Sequence, residues 1–176
     1  MIAAVGRLKT MTKSPEYSGA DAAVITIFTL VLRFSMGWIF IWAGFDKLIT
    51  DFSAGGFLVN TSKGPLKDMF VNMGQSETAL DVVDPLVIYG QILIGLALIL
   101  GVFTRFALLM GAAQMFFFYI AQLWPAHNPF MEYYLVYIFI MALLGAVGAG
   151  RILGFDAFIE NRGPVRRIPA LKLVLG

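Results

Sequence analysis

Three ionisable side chains lie within one apolar run, Val24 to Leu48: Arg33 in its interior, and Asp46 and Lys47 at its far end. On a helix, Arg33, Gly37, Gly44 and Lys47 follow i, i+4, i+11, i+14 spacing and share one face. Two cations and two glycines make a poor lipid surface, so this face is expected to meet protein, water or a ligand. A cation in apolar surroundings can hold an anion. A charge within a membrane span costs at least about 2.5–3.5 kcal/mol on insertion scales, which leaves two readings of Arg33 open. It either faces a cavity or partner, or it snorkels to the near interface. Asp46 and Lys47 are adjacent and lie about 100° apart, so they do not face one another. Lys47 is read as the anion-holding group and Asp46 as its orienting or proton-handling neighbour, against an ordinary interfacial pair ending a helix.

A second group flanks the link Trp124–Met131, WPAHNPFM, whose two prolines demand a tight, stiff turn. Glu132 and His127 could move protons there. Tyr133, Tyr134 and Trp42 could contact a ring or donate hydrogen bonds, although Trp and Tyr gather at membrane interfaces by default. Gln91 and Gln114 read as interhelical hydrogen-bond partners, with ligand contact as the alternative.

The rest of the composition limits what these groups can serve. Of 176 residues, 59% are hydrophobic and 14% charged, and the mean hydropathy is +0.81. That is the balance of an integral membrane protein lying in a lipid bilayer. The net charge of +2 is carried by residues in the flanks, which argues against a nucleic-acid partner. Cysteine is absent, so disulfides, thiolate metal sites and iron–sulfur clusters are excluded within the chain. One histidine, His127, rules out bis-histidine haem, and no haem or metal is expected.

The expected fold is all-α: a four-transmembrane-helix bundle with a partly helical outer loop between helices 1 and 2. Residues 1–23 form a cytoplasmic tail, 24–153 the membrane domain and 154–176 a second cytoplasmic tail. The spans are placed at about 24–48, 85–103, 106–123 and 133–153, each long enough for a hydrocarbon core of about 30 Å or nearly so. The first span is longer than a signal-peptide core and lacks an A-x-A site, so it reads as an uncleaved anchor. Within loop 51–84, Gly55 and Gly56 should break the helix, and Pro65 should start a short amphipathic helix ending at Gly74. Asp84–Pro85 should cap the second span. Asn60-Thr61-Ser62 matches a glycosylation sequon. Ala142, Ala146 and Gly150 form a small-residue seam expected to pack on another helix. Counting Lys and Arg places both termini in the cytoplasm of a multi-pass cell-membrane protein.

RFSMGWIFIWAGFDKL in the first span and YGQILIGLALILGVFTR in the second are similar to the opening helices of the DoxX/DoxD family. GFLVNTSKGPL, WPAHNPFMEYYLVY and GAGRILGFD resemble DoxD more narrowly, the membrane subunit of archaeal thiosulfate:quinone oxidoreductase. The resemblance covers about residues 30–156. It implies a four-helix membrane protein that passes electrons from thiosulfate to a quinone, with a second, DoxA-like subunit. On that reading Lys47, Asp46 and Glu132 are the catalytic candidates, and Arg33, Trp42, Gln91 and Tyr133 the quinone-binding ones. The alternative is a non-catalytic accessory subunit of a larger respiratory or other membrane complex.

Overall fold

The computed structural model describes residues 19–123, 131–160 and 174–175, and among these every regular element is helical. The long helices are α1 (Gly19–Ile49), α4 (Glu77–Leu100), α5 (Thr104–Ala121) and α6 (Tyr133–Ala146). Between α1 and α4 lie α2 (Ala54–Thr61) and α3 (Lys67–Gln75), and α7 (Phe155–Glu160) follows α6. Three helices, α1, α4 and α5, are long and apolar enough to cross a membrane, whereas α6 is apolar but only 14 residues long. Such helices imply a bilayer around the protein. The exposed Phe28, Trp38, Leu86, Leu93, Leu109 and Phe139 then face lipid rather than water.

α1 packs most closely on α4, and glycines set that distance. A Cβ on Gly95 would stand 2.6 Å from the Gly37 carbonyl oxygen, and one on Gly44 would stand 2.9 Å from that of Ile88. The backbones therefore meet through the glycine face of α1, as its position opposite lipid required. Around this contact Met36, Phe40, Leu98, Leu108, Met141 and Leu144 form the main core. The expected seam on the last long helix is absent: Ala142 and Ala146 are exposed, and the buried residues of α6 are Tyr134, Met141 and Leu144. Gly148, in left-handed conformation, ends α6 short of the predicted 153, and Gly150 lies in the 3-10 turn Ala149–Arg151.

The loop between α1 and α4 is more ordered than its glycines imply. α1 ends at Ile49, within the expected 48–50, but Gly55 and Gly56 fall inside α2, and Gly55 lies where a Cβ would meet the Gly74 carbonyl oxygen at 2.9 Å. Pro65 starts a 3-10 turn that runs into α3, as expected. Phe70 of α3 is fully buried with Leu58 and Ala121, so the two short helices cap one end of the bundle. Asp84 does not cap α4. That helix starts earlier, at Glu77, where Ser76 Oγ accepts from Ala79 N, and it continues through Pro85. Asp84 Oδ1 instead accepts from Ala54 N at 2.7 Å, tying the start of α2 to α4.

Candidate functional site

Arg33 and Lys47 share a face of α1 but serve opposite ends of the molecule, 14 residues and about 21 Å apart. They cannot form one site.

At the Arg33 end the guanidinium is fully buried, which excludes snorkelling. Its Nη1 donates to the carbonyl oxygens of Ala149 at 2.5 Å and Ile152 at 2.7 Å, and Nη2 to Leu153 at 3.4 Å. Asp156, also fully buried, supplies the opposing charge. Its carboxylate accepts from Phe103 N at 2.8 Å and Thr104 N at 3.0 Å, so it caps α5 from the far side of α6. Gly101 makes the facing turn with φ of +67° and contacts Gly154, while Asp156 N donates to the Gly101 carbonyl at 2.8 Å. Val174 accepts from Phe106 N at 3.2 Å and Leu175 is buried. Among the described residues beyond 154, Asp156, Val174 and Leu175 thus lie against this end of the bundle. Nη1 and Nη2 of Arg33 thus donate to main-chain carbonyls, while its buried Nε finds no partner among the described residues.

At the other end Lys47 lies half-buried in the last turn of α1. Its Nζ donates to the Ala43 carbonyl at 3.0 Å and lies 5.3 Å from the centre of the Phe52 ring. It lines a cavity of about 90 Å³ closed by Phe57, Leu58, Val87, Phe118 and Tyr134. Tyr134 is buried, its hydroxyl accepting from Gln122 Nε2 at 3.1 Å. Val83, Val87, Phe117 and Phe118 also line a larger apolar groove of about 460 Å³ between α4 and α5. One polar side chain, Gln114, borders that groove.

Among the described residues, one of the other candidates is buried, and none of them lines the Lys47 cavity. Asp46 is exposed and does not line it. Trp42 is exposed and stacks on Trp38, with ring centres 6.1 Å apart, as a lipid-facing pair. Gln91 is buried on the inner face of α4, with an Oε1 that finds no hydrogen-bond partner among the described residues. Tyr133 is half-exposed with its ring 4.1 Å from that of Tyr134. Glu132 is half-buried just before α6 and makes no side-chain cap. His127 lies outside the described residues, and Asn60 is exposed on α2. Sequence reading missed the roles of Phe117, Phe118, Asp84 and Asp156. The only signal for Asp156 was an acid two residues after the last glycine of GAGRILGFD.

A family model described as DoxX matches residues 28–124, more than half of the chain. The chain belongs to the DoxX family. No solved structure matches it. The DoxX match spans α1 to α5 and so includes Lys47, Gln114 and Arg33, while Tyr134 and Asp156 lie beyond it.

Proposed function

We propose that this DoxX-family protein is the membrane subunit of a quinone-linked oxidoreductase that passes electrons from thiosulfate to a membrane quinone. The observation that carries this reading is Lys47, a half-buried cation on the wall of a small cavity that abuts a lipid-facing apolar groove. An anion at Lys47 and a ring in the groove would be separated only by Val83, Val87, Phe117 and Phe118. Two thiosulfates joined through sulfur give tetrathionate and release two electrons. The quinone takes up both electrons and two protons to become the quinol. No metal is needed for this balance. Lys47 holds the anion, and low local dielectric strengthens that attraction. Asp46, exposed beside it, exchanges protons with water. Glu132, adjacent to Tyr133 and Tyr134, is the second proton carrier.

In this reading the segment from Tyr133 to Ile152 completes a fourth crossing. Gln122 meets Tyr134 at one end of α5, and Arg105 Nε donates to the Gly145 carbonyl at 3.3 Å at the other. The Arg33 end is cytoplasmic, with both termini, in the cell membrane. A DoxA-like second subunit completes the enzyme. Purified protein with such a partner, assayed for thiosulfate-dependent reduction of short- and long-chain quinones, decides the matter. Activity that Lys47→Ala lowers at least tenfold supports the reading, and no reduction with either quinone removes it. The accessory-subunit alternative draws on the exposed Ala142 and Ala146 of α6, a face on which another subunit's helix could lie closely.

A further inference from the structure

α1 is longer than the bundle that it belongs to. Its 31 residues span about 46 Å, against about 27 Å for the 18 of α5. Arg33 marks the level at which the bundle ends, because it bonds the turn after α6 and its Nη1 lies beside Gly101, where α4 stops. The part of α1 before Arg33 runs on for about 20 Å. Every residue from 19 to 28 is exposed, and none between Asp21 and Arg33 is charged. A bilayer of about 30 Å around α5 leaves part of that apolar rod uncovered.

The exposed side of α1 carries a pattern. Val24, Phe28, Val31 and Ser35 recur at steps of four, three and four residues, and all are exposed. The alternation continues through Trp38, Trp42, Phe45 and Ile49, which are exposed as well. A period of 3.5 residues is that of a left-handed helix pair, whose large apolar side chains interdigitate along one seam. In the projecting part, Val24, Ile27 and Phe28 lie on the seam side, and the small or polar Ala22 and Thr26 lie opposite. Packing within the chain does not explain this asymmetry, since both sides are exposed, and lipid on every side would impose none. Ser35 is the polar residue of the stripe. The hydroxyls of Thr26 and Thr29 donate to carbonyls four residues back, but Ser35 makes no hydrogen bond with any described residue. A polar group without a partner in hydrocarbon is costly.

We propose that α1 forms a parallel seam, from Val24 to Ile49, with α1 of a second copy of this chain. Copies of a membrane protein share one topology, so neighbouring α1 helices run parallel, and a two-fold axis brings each seam position against itself. The stripe suits that arrangement. It holds no charge between Val24 and Ile49, and at Ser35 two hydroxyls meet, each able to donate and to accept. Asp21, the next position on the stripe, ends the seam, because two carboxylates would face one another there. Phe28, Trp38, Trp42 and Phe45 each carry about 150–250 Å² of surface, of which about half is exposed. These four alone supply on the order of 400 Å² per copy, half of the roughly 800 Å² per partner of a stable interface. The other seam positions, with Ile27 and Phe34 beside them, supply the rest. The seam lies on the side of α1 opposite Lys47 and does not depend on the reaction proposed above.

The test is disulfide trapping in native membranes, since the chain has no cysteine of its own. Val24→Cys, Val31→Cys and Ser35→Cys are each oxidised with copper phenanthroline and run on a non-reducing gel. Leu93→Cys on α4 and Leu109→Cys on α5, both exposed, measure random collision. The three α1 variants should give a band of twice the chain mass at least fivefold stronger than the two controls. Adding Trp38→Ala and Trp42→Ala to Val31→Cys should lower that yield at least fivefold. All five single substitutions are on exposed positions, and gel filtration in detergent checks that each variant is folded. Yields on α1 no higher than the controls assign the stripe to lipid and overturn the proposal. A band joining this chain to a different polypeptide assigns it to another subunit and also overturns it, as does a Val31→Cys yield that survives loss of both tryptophans.

Discussion

Arg33 and Lys47 look alike in the sequence, and their surroundings separate them. Arg33 donates to main-chain carbonyls of the turn after α6 and feels the charge of Asp156. Removing one member of a buried charge pair typically costs about 3–5 kcal/mol, because the other is left uncompensated. Arg33→Ala is therefore expected to lower stability by about that much, read as a drop in thermal midpoint in detergent. Asp156 offers a sharper comparison because it does two jobs. Asp156→Ala loses both the charge and the cap on α5, whereas Asp156→Asn keeps an oxygen for Phe103 N or Thr104 N. Asn caps helices about as well as Asp, so the alanine variant should be less stable than the asparagine variant by about 1 kcal/mol. Equal midpoints for the two would mean that the cap contributes nothing. The sequence announced Arg33 as unusual but not its partners, since Ala149, Ile152 and Leu153 act through carbonyls that every residue carries. Asp156 was hidden for a different reason: it lies more than fifty positions from the helix that it caps.

At the scale of elements, the long helices were legible because hydropathy alone forces them, as were the ends at Ile49 and Tyr133, whereas the start of α4 and the end of α6 were not. α4 begins eight residues before Pro85, with Ser76 supplying the start, so the proline lies in the helix interior and costs one i→i−4 hydrogen bond. α6 stops at Ala146, where the left-handed Gly148 turns the chain toward Arg33. The small-residue rule marked a face of α6 that packs on no helix of this chain among the described residues. Ala142 and Ala146 have the spacing, but the intimate contact is made by Gly37 and Gly44 against Gly95 and the Ile88–Ile99 stretch. Spacing shows that close packing is possible, not which face is used. This ordering can be tested directly. Gly95→Ala places a methyl 2.6 Å from the Gly37 carbonyl oxygen and should cost about 1–3 kcal/mol through overpacking. Ala146→Leu, on an exposed face, should change the stability of the isolated protein by less than about 0.5 kcal/mol. Chemical denaturation of both variants in one detergent makes the comparison, and a larger loss in Ala146→Leu would place a second chain on that face in the purified protein.

At the scale of the whole molecule, the two ends of the bundle have different construction. One is a knot of Arg33, Asp156 and glycine turns; the other is a lid of α2 and α3, closed by Phe70 and tied to α4 through Asp84. A lid above Lys47 makes sense if a water-borne anion arrives there, and that requires the α3 end to be outside. The chain contains no cysteine, so a single introduced thiol reports its own side of the membrane without background. Asp68, exposed on α3, and Leu153, 84% exposed beside the Arg33 knot, mark the two ends. In intact cells a membrane-impermeant maleimide should label Asp68→Cys, and should reach Leu153→Cys only after the membrane is opened. The reverse pattern would put Lys47 on the cytoplasmic side and the thiosulfate donor with it. Labelling of both positions in intact cells would mean that the segment from Tyr133 to Ile152 does not complete a crossing. Tyr134 meets Gln122 at one end of α5 and Asp156 caps the other, so the segment between them runs the length of that helix. That segment must cover the full height of α5 with 14 helical residues and a 3-10 turn. A crossing this short predicts a locally thinned bilayer beside α6, so the protein should be more stable in thin-bilayer nanodiscs than in thick ones.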